Sequence, residues 1–168
     1  MFKIILFHLG KFILSILPEG RFPRLNAYVF KMSGVRIGWN SVVYSSVSIS
    51  RLVNVSIGSN SFVGSSCVFT GGAHSNIRIG NCCDISNCIH FITGSHQIDS
   101  TGLRMAGRGY AADIIVEDGC WIGYGALILP GVTIGKNSII GAGSVVARDI
   151  PNGVVAAGNP CRVIRELH

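Results

Sequence analysis

Five histidines and six cysteines supply most of the bases and nucleophiles of this 168-residue chain. His96 closes the run Thr93-Gly94-Ser95-His96 and stands immediately before residues 97–113, which break an otherwise regular pattern. Among neutral side chains imidazole is best suited to taking a proton near neutral pH, so a histidine at such a break is a candidate general base. His90 lies six residues earlier and Asp84 six before that, while His74 follows Gly71-Gly72-Ala73. As single polar residues without partners in sequence, these three read as surface corner residues. A carboxylate to orient His96 has two sources, Asp84 across a subunit boundary or Asp99 within the break, and a backbone carbonyl would serve equally well.

The elements that position these residues follow from a six-residue period. Aliphatic or aromatic side chains recur at Val116, Ile122, Ile128, Ile134, Ile140 and Val146, and the same step runs through Ile37, Val43 and Ile49, through Ile57, Val63 and Phe69, and through Ile79, Ile85 and Phe91. Six matches neither the 3.6-residue helix nor simple strand alternation. Four positions after each of these comes a small or apolar residue, from Ser41 through Cys67, Ala73, Cys83, Ser95 and Cys120 to Ser144, also expected to face inward. A small residue often follows the aliphatic one directly, as at Gly38, Gly58, Gly64, Gly80, Gly123, Gly135 and Gly141. Short strand, corner and short strand is the local structure this spells. Three hexads make an 18-residue coil of triangular section, whose stacked equivalents form a core and satisfy the backbone through parallel ladders.

Cys67, Cys83 and Cys120 fall on the small inward position and read as buried small hydrophobes. Cys82, Cys88 and Cys161 receive no place in the pattern. With no cleavable secretory signal before them, the six are expected to be reduced thiols in a cytoplasmic protein.

Residues 97–113 (QIDSTGLRMAGRGYAAD) carry no aliphatic sixth position, and the repeat resumes at Val116. A long excursion from a solenoid costs loop entropy without core burial, so it is expected to be either functional or disordered.

Length favours one folded unit, divided here into an N-terminal helical segment, 1–36, a β-helix, 37–151, with its loop 97–113, and a C-terminal segment, 152–168. Seven of the fourteen Lys and Arg lie in residues 1–51, where Glu19 is the only acid. That imbalance suits an anionic partner; without aromatic residues interleaved among the cations, nucleic acid is not the expected one. Residues 2–17 place Lys3, His8, Gly10, Lys11 and Ser15 on one helical arc and Phe, Ile and Leu on the rest. Such a helix would cap the open coil or lie on a membrane through residues 1–31; capping is the favoured reading. The run is broken by Lys3, His8 and Lys11 and ends at Pro18, short of the ~20 apolar residues that span a bilayer.

The repeat resembles that of the hexapeptide-repeat acyltransferases, over about residues 37–165. This implies an all-β, left-handed parallel β-helix, the handedness coming from the family. Thr93-Gly94-Ser95-His96 resembles the loop-edge motif that carries the catalytic histidine in galactoside, maltose and capsular-sugar O-acetyltransferases. Val116–Arg165 is similar to their cofactor-binding half. The resemblance therefore implies direct transfer of an acetyl group from acetyl-CoA to a hydroxyl of a sugar or polysaccharide precursor, with His96 as base. Asp84 and Asp99 would lie on the acceptor side, as would Ser66, which stands where galactoside-type relatives place a substrate-binding Asn. Gly123, Tyr124, Gly141 and Ala142 match positions along the pantetheine arm, and Lys136, Arg148, Arg162 and Arg165 would serve the phosphates. Ala157-Gly158-Asn159-Pro160 resembles the turn at the adenine end. Because the family's groove lies between subunits, a homotrimer with three sites is implied.

Other readings compete. Serine acetyltransferases carry a long helical domain where only 36 residues precede the first hexad here; xenobiotic acetylation is a further enzyme alternative. γ-Type carbonic anhydrases need three histidines on zinc; His74, His90 and His96 supply the number without that family's close pair, and no metal is expected. A catalytically silent scaffold is the non-enzymatic alternative.

Overall fold

The computed structural model describes residues 8–10, 12–13, 15–16 and 20–167. Two-residue and slightly longer strands wind through three parallel sheets. The six-residue columns form the core as the period requires. Val43, Val63, Ile85, Ile122 and Ile140 stack in one sheet, and Phe69, Phe91, Ile128 and Val146 in another, all fully buried. Phe69 lies flat on Phe91 with ring centroids 4.8 Å apart.

The coils are less uniform than an 18-residue winding. Arg36 pairs with Ser56, Val53 with Ser75, Ile77 with Ile114 and Ile115 with Thr133, so successive coils advance by 20, 22, 37 and 18 residues. Every insertion falls at one corner of the triangle, after the sheet that contains Phe69 and Phe91 and before the one that contains Ile57, Ile79 and Val116. The smaller insertions let strands Val53–Ile57 and Ser75–Ile79 lengthen to five residues. They also overturn two inward positions: Ala73 and Ser95 are exposed, and Ser75 and Thr93 are the buried residues at that corner.

Small corner residues are needed for close stacking rather than for backbone conformation. A Cβ on Gly58 would meet the Gly80 carbonyl oxygen at 2.5 Å, with backbone on both sides and nothing able to yield. The left-handed residue comes two positions later, at Asn40, Asn60, Cys82 and Asn137 on one corner and Ser66 and Cys88 on the next. Cys82 and Cys88 are thereby placed: they are turn residues.

Inside the corners, hydroxyls and thiols play one role. Ser41 and Ser61 donate to the carbonyls of Gly58 and Gly80 at 2.6 and 2.8 Å, and the Cys67, Cys83 and Cys120 thiols reach those of Ser86, Glu117 and Gly135 at 3.0 to 3.1 Å. The buried cysteines are thus weak donors as well as small fillers. Burial pushes the Cys67 and Cys120 thiols up to about 11 and raises Cys83 and Cys161. Since the thiolate is the reactive form, a thiol reagent at pH 8 is expected to modify at most Cys82 and Cys88 rapidly in the folded chain, and all six after denaturation. Rapid modification of four or more native thiols would contradict this burial.

The first coil is capped by helix Pro23–Met32, whose proline sits at the helix start and whose Val29 and Phe30 are buried, Phe30 in the main core. Among the described residues, that helix closes the open end. The described residues among 8–16 are helical and lie outside it, with Gly10 against Val29 and His8 2.7 Å from Arg51. Residues 2–7, 11, 14 and 17 of the expected amphipathic helix are outside the described residues. At the other end, Val154–Ala157 extends a parallel sheet and Arg162–Glu166 folds back antiparallel beside it, after a cis Asn159–Pro160 bond.

Candidate active site

The break in the repeat is a β-hairpin. Gly94–Ile98 pairs antiparallel with Ala106–Ala111, and a bulge falls between His96 and Ile98. It projects from the insertion corner, where the chain leaves one sheet at Ile92 and rejoins another at Ile114.

Its root is fixed by polar contacts that the repeat does not announce. Buried Ser75 and Thr93 hydroxyls lie 2.6 Å apart, and Ser75 also donates to the Gly72 carbonyl at 2.6 Å. Ala112 donates its amide to the Thr93 carbonyl, and Asp113 accepts from the backbone and side-chain nitrogens of Asn76 at 2.8 and 2.9 Å. Both legs are therefore tied to the previous coil. Gly71-Gly72 gains its reason here: a Cβ on Gly72 would stand 2.5 Å from that of Ala111, and one on Gly94 would stand 2.7 Å from the Gly72 nitrogen. Only glycines let the hairpin legs pass so closely over the coil.

The result is a concavity of about 530 Å3 lined by Gly71, Gly72, Gly94, His96, Gly109 and Tyr110, among others. His96 is exposed, opposite Gly109, which offers no side chain to cover the imidazole. The imidazole is open to a hydroxyl-bearing molecule over this glycine floor. Tyr110, paired with Ser95, forms a wall. It was missed because the break shows no period from which its direction could be read.

The two candidate carboxylates take different places. Asp99 is committed to the hairpin tip, where it accepts from the Thr101 amide and hydroxyl and the Gly102 amide at 2.8 to 3.0 Å. These bonds, led by the Thr101 hydroxyl, hold its carboxyl below the usual range. Asp84 lies exposed in a strand between Phe62 and Trp121, on the sheet preceding His90's. Ser66 is an exposed left-handed corner residue whose amide bonds to the Ser46 hydroxyl. His90 lies on the outer face between Val68 and Leu127, and His74 holds a left-handed turn. Among the described residues no three His, Cys, Asp or Glu side chains converge as a metal site would require.

The small-residue column stands at another corner. Gly123 and Gly141 follow Ile122 and Ile140, with no room for a Cβ at either: one on Gly123 would meet the Ala142 nitrogen at 2.6 Å and one on Gly141 the Ala157 Cβ at 2.6 Å. The Gly123, Gly125, Gly141 and Gly143 amides are consumed by the coil ladder, and those of Tyr124 and Ala142 stand outside it, one coil apart. Tyr124 is 57% exposed above them. Within one chain, then, His96 and this column occupy different corners of the triangle. The cations are also dispersed around the last coils. Lys136 and Arg148 sit at different corners, while Arg162 and Arg165 lie on the antiparallel strand beside Val154–Ala157.

Residues 113–148 match the family described as bacterial transferase hexapeptide (six repeats). Galactoside O-acetyltransferase of Escherichia coli K12 is 39% identical over 132 residues, covering 79% of this chain and 64% of the relative. Galactoside O-acetyltransferase of Lactococcus lactis is 43% identical over 93 residues, covering 55% and 44%. The chain thus spans about half to two thirds of the length of these curated relatives. A solved galactoside acetyltransferase in complex with coenzyme A is 31% identical and superimposes with a TM-score of 0.78, over 99% of this chain and 81% of the other. The winding is that of the left-handed parallel β-helix. A coil stack shared along nearly its entire length, at this identity, makes the chain a member of the hexapeptide-repeat acetyltransferases.

Proposed function

We propose that the chain transfers an acetyl group from acetyl-CoA to a hydroxyl of a sugar or polysaccharide precursor, with His96 as general base. The observation that carries this reading is the exposed imidazole over a glycine floor, held on a hairpin whose two legs are tied to the coil below. The attacking oxygen forms a bond to the thioester carbonyl carbon as His96 takes its proton, and the carbon–sulfur bond then breaks. The imidazolium returns the proton to the departing thiolate, so the base is restored and no other reactant is consumed. Positioning supplies much of the rate, which is why tethering of the hairpin root matters.

The Tyr124 and Ala142 amides, spaced by one coil, suit the amide carbonyls of a pantetheine arm, and Gly125 and Gly143, where a Cβ would meet nothing within 4 Å, leave the surface beside them open. Acetyl-CoA fits this column, and coenzyme A is the ligand of the solved relative named above. Because His96 stands at another corner, we place the complete site between protomers, one giving the histidine and its neighbour the column. A closed ring of three satisfies every such half-site. Sedimentation equilibrium at micromolar concentration is expected to give three times the 17.9 kDa chain mass; a monomer as the sole species would end this assembly. The six free thiols are in keeping with the cytoplasm, the compartment we assign.

A thiol-release assay against sugars, nucleotide sugars, serine and chloramphenicol tests the acceptor class. Acceleration by a sugar supports the reading. Acceleration by serine or chloramphenicol alone would replace it with another acetyl acceptor.

A further inference from the structure

The helical residues before the cap are oriented against the usual rule. Leu9, Phe12, Ile13 and Ile16 recur at intervals of three, four and seven, which on an α-helix form one stripe. In a globular protein such a stripe faces the core. Here it faces outward: the four side chains are 53%, 64%, 47% and 69% exposed. Among the described residues, the inner side holds Gly10 against Val29 and His8 beside Arg51.

Among the described residues, the charged side chains of the capped end are basic. Arg21, Arg24, Lys31, Arg36 and Arg51 are all exposed, and no Asp or Glu occurs anywhere from residue 20 to residue 83. Lys31 and Arg51 also border a depression where the cap helix meets the first coil, lined further by Ser33, Ser50, Asn54 and Val53.

From the outward stripe and this cationic rim we infer that the capped end of the β-helix docks on an anionic membrane surface. The four apolar side chains enter the headgroup–acyl boundary, the helix lying in the plane, and the cations take lipid phosphates. A second copy of the chain is a poorer occupant, because end-to-end apposition would bring two equally cationic rims together. No helix among the described residues is long and apolar enough to cross a membrane, so the attachment is to one face. It is independent of the acetyl-transfer reading.

Vesicle co-sedimentation of the full chain tests it. Vesicles of phosphatidylcholine with phosphatidylglycerol are expected to carry down about tenfold more protein than phosphatidylcholine alone, and raised salt should erase the difference. The triple variant Leu9→Glu, Phe12→Glu, Ile16→Glu should lose about tenfold in vesicle association. Because all three side chains are already in solvent, its circular dichroism and thiol release should match the parent's. Equal recovery of parent and variant, or a parent that ignores both lipids, overturns the inference. A variant that loses its oligomeric mass in the absence of lipid also overturns it, since the stripe would then be a contact between subunits.

Discussion

Replacing His96 with alanine is expected to lower kcat for sugar-dependent thiol release about a thousandfold while leaving the KM for acetyl-CoA within about threefold of its original value. The split follows from position. His96 is on the hairpin, at a different corner from the column of Gly123, Tyr124, Gly141 and Ala142, so its loss removes a proton acceptor without touching the surface assigned to pantetheine. The substitution is tolerated by the fold, because the side chain is exposed and the hairpin is anchored by Ser75, Thr93 and Asp113. Thermal unfolding should therefore be unchanged. A His96→Ala protein with undiminished kcat would remove the histidine from the chemistry and turn attention to the silent-scaffold alternative.

Phe91→Ala should be the most damaging single core change, costing about 3–5 kcal/mol. Phe91 is fully buried and stacks on Phe69 at 17° between ring planes, and the ladders above and below prevent the coil from closing over the void. A loss of this size is a large part of the ~5–15 kcal/mol that holds a domain together. The melting temperature should fall on the order of 10 °C. Phe91 also stands two residues before Thr93, so activity is expected to decline at temperatures where the parent is still stable. Phe91→Leu, which refills most of the space, should cost less than about 1.5 kcal/mol; similar losses in both variants would mean that the site collapses freely and that the stack contributes little.

Much of the scaffold was legible because a hexad places one large side chain per strand, and any error of register would turn that side chain to solvent. Ile122, Ile128, Ile134 and Ile140 sit in successive sheets as their spacing requires. Counting by hexads failed where the pattern has no penalty for extra length. Insertions at a solvent-facing corner change no core contact, so Ala73 and Ser95 were counted as inward although Ser75 and Thr93 take those places. The apolar run 2–17 drew the capping expectation, and the shorter helix after it, with Val29 and Phe30 buried, is a cap that hydropathy did not single out. Apolar content alone carries no information about which way a short helix turns its stripe.

At the candidate site, the interruption of the repeat is what draws attention to His96. Its supports do not stand out in this way, since Ser75, Thr93 and Asp113 are ordinary polar residues whose pairing depends on coils 18 and 37 residues apart in sequence. Lys136 and Arg148, assigned together to the phosphates, stand at different corners of one chain. In a triangular winding, six residues suffice to turn a corner.

The antiparallel return of Arg162–Glu166 has one further consequence. A stack of parallel coils is a template, and a bare terminal edge such as Val154–Ala157 invites another strand to add to it. The reversed, charge-bearing strand occupies that edge in the wrong direction for another coil to follow. That edge is thereby closed to a further parallel strand.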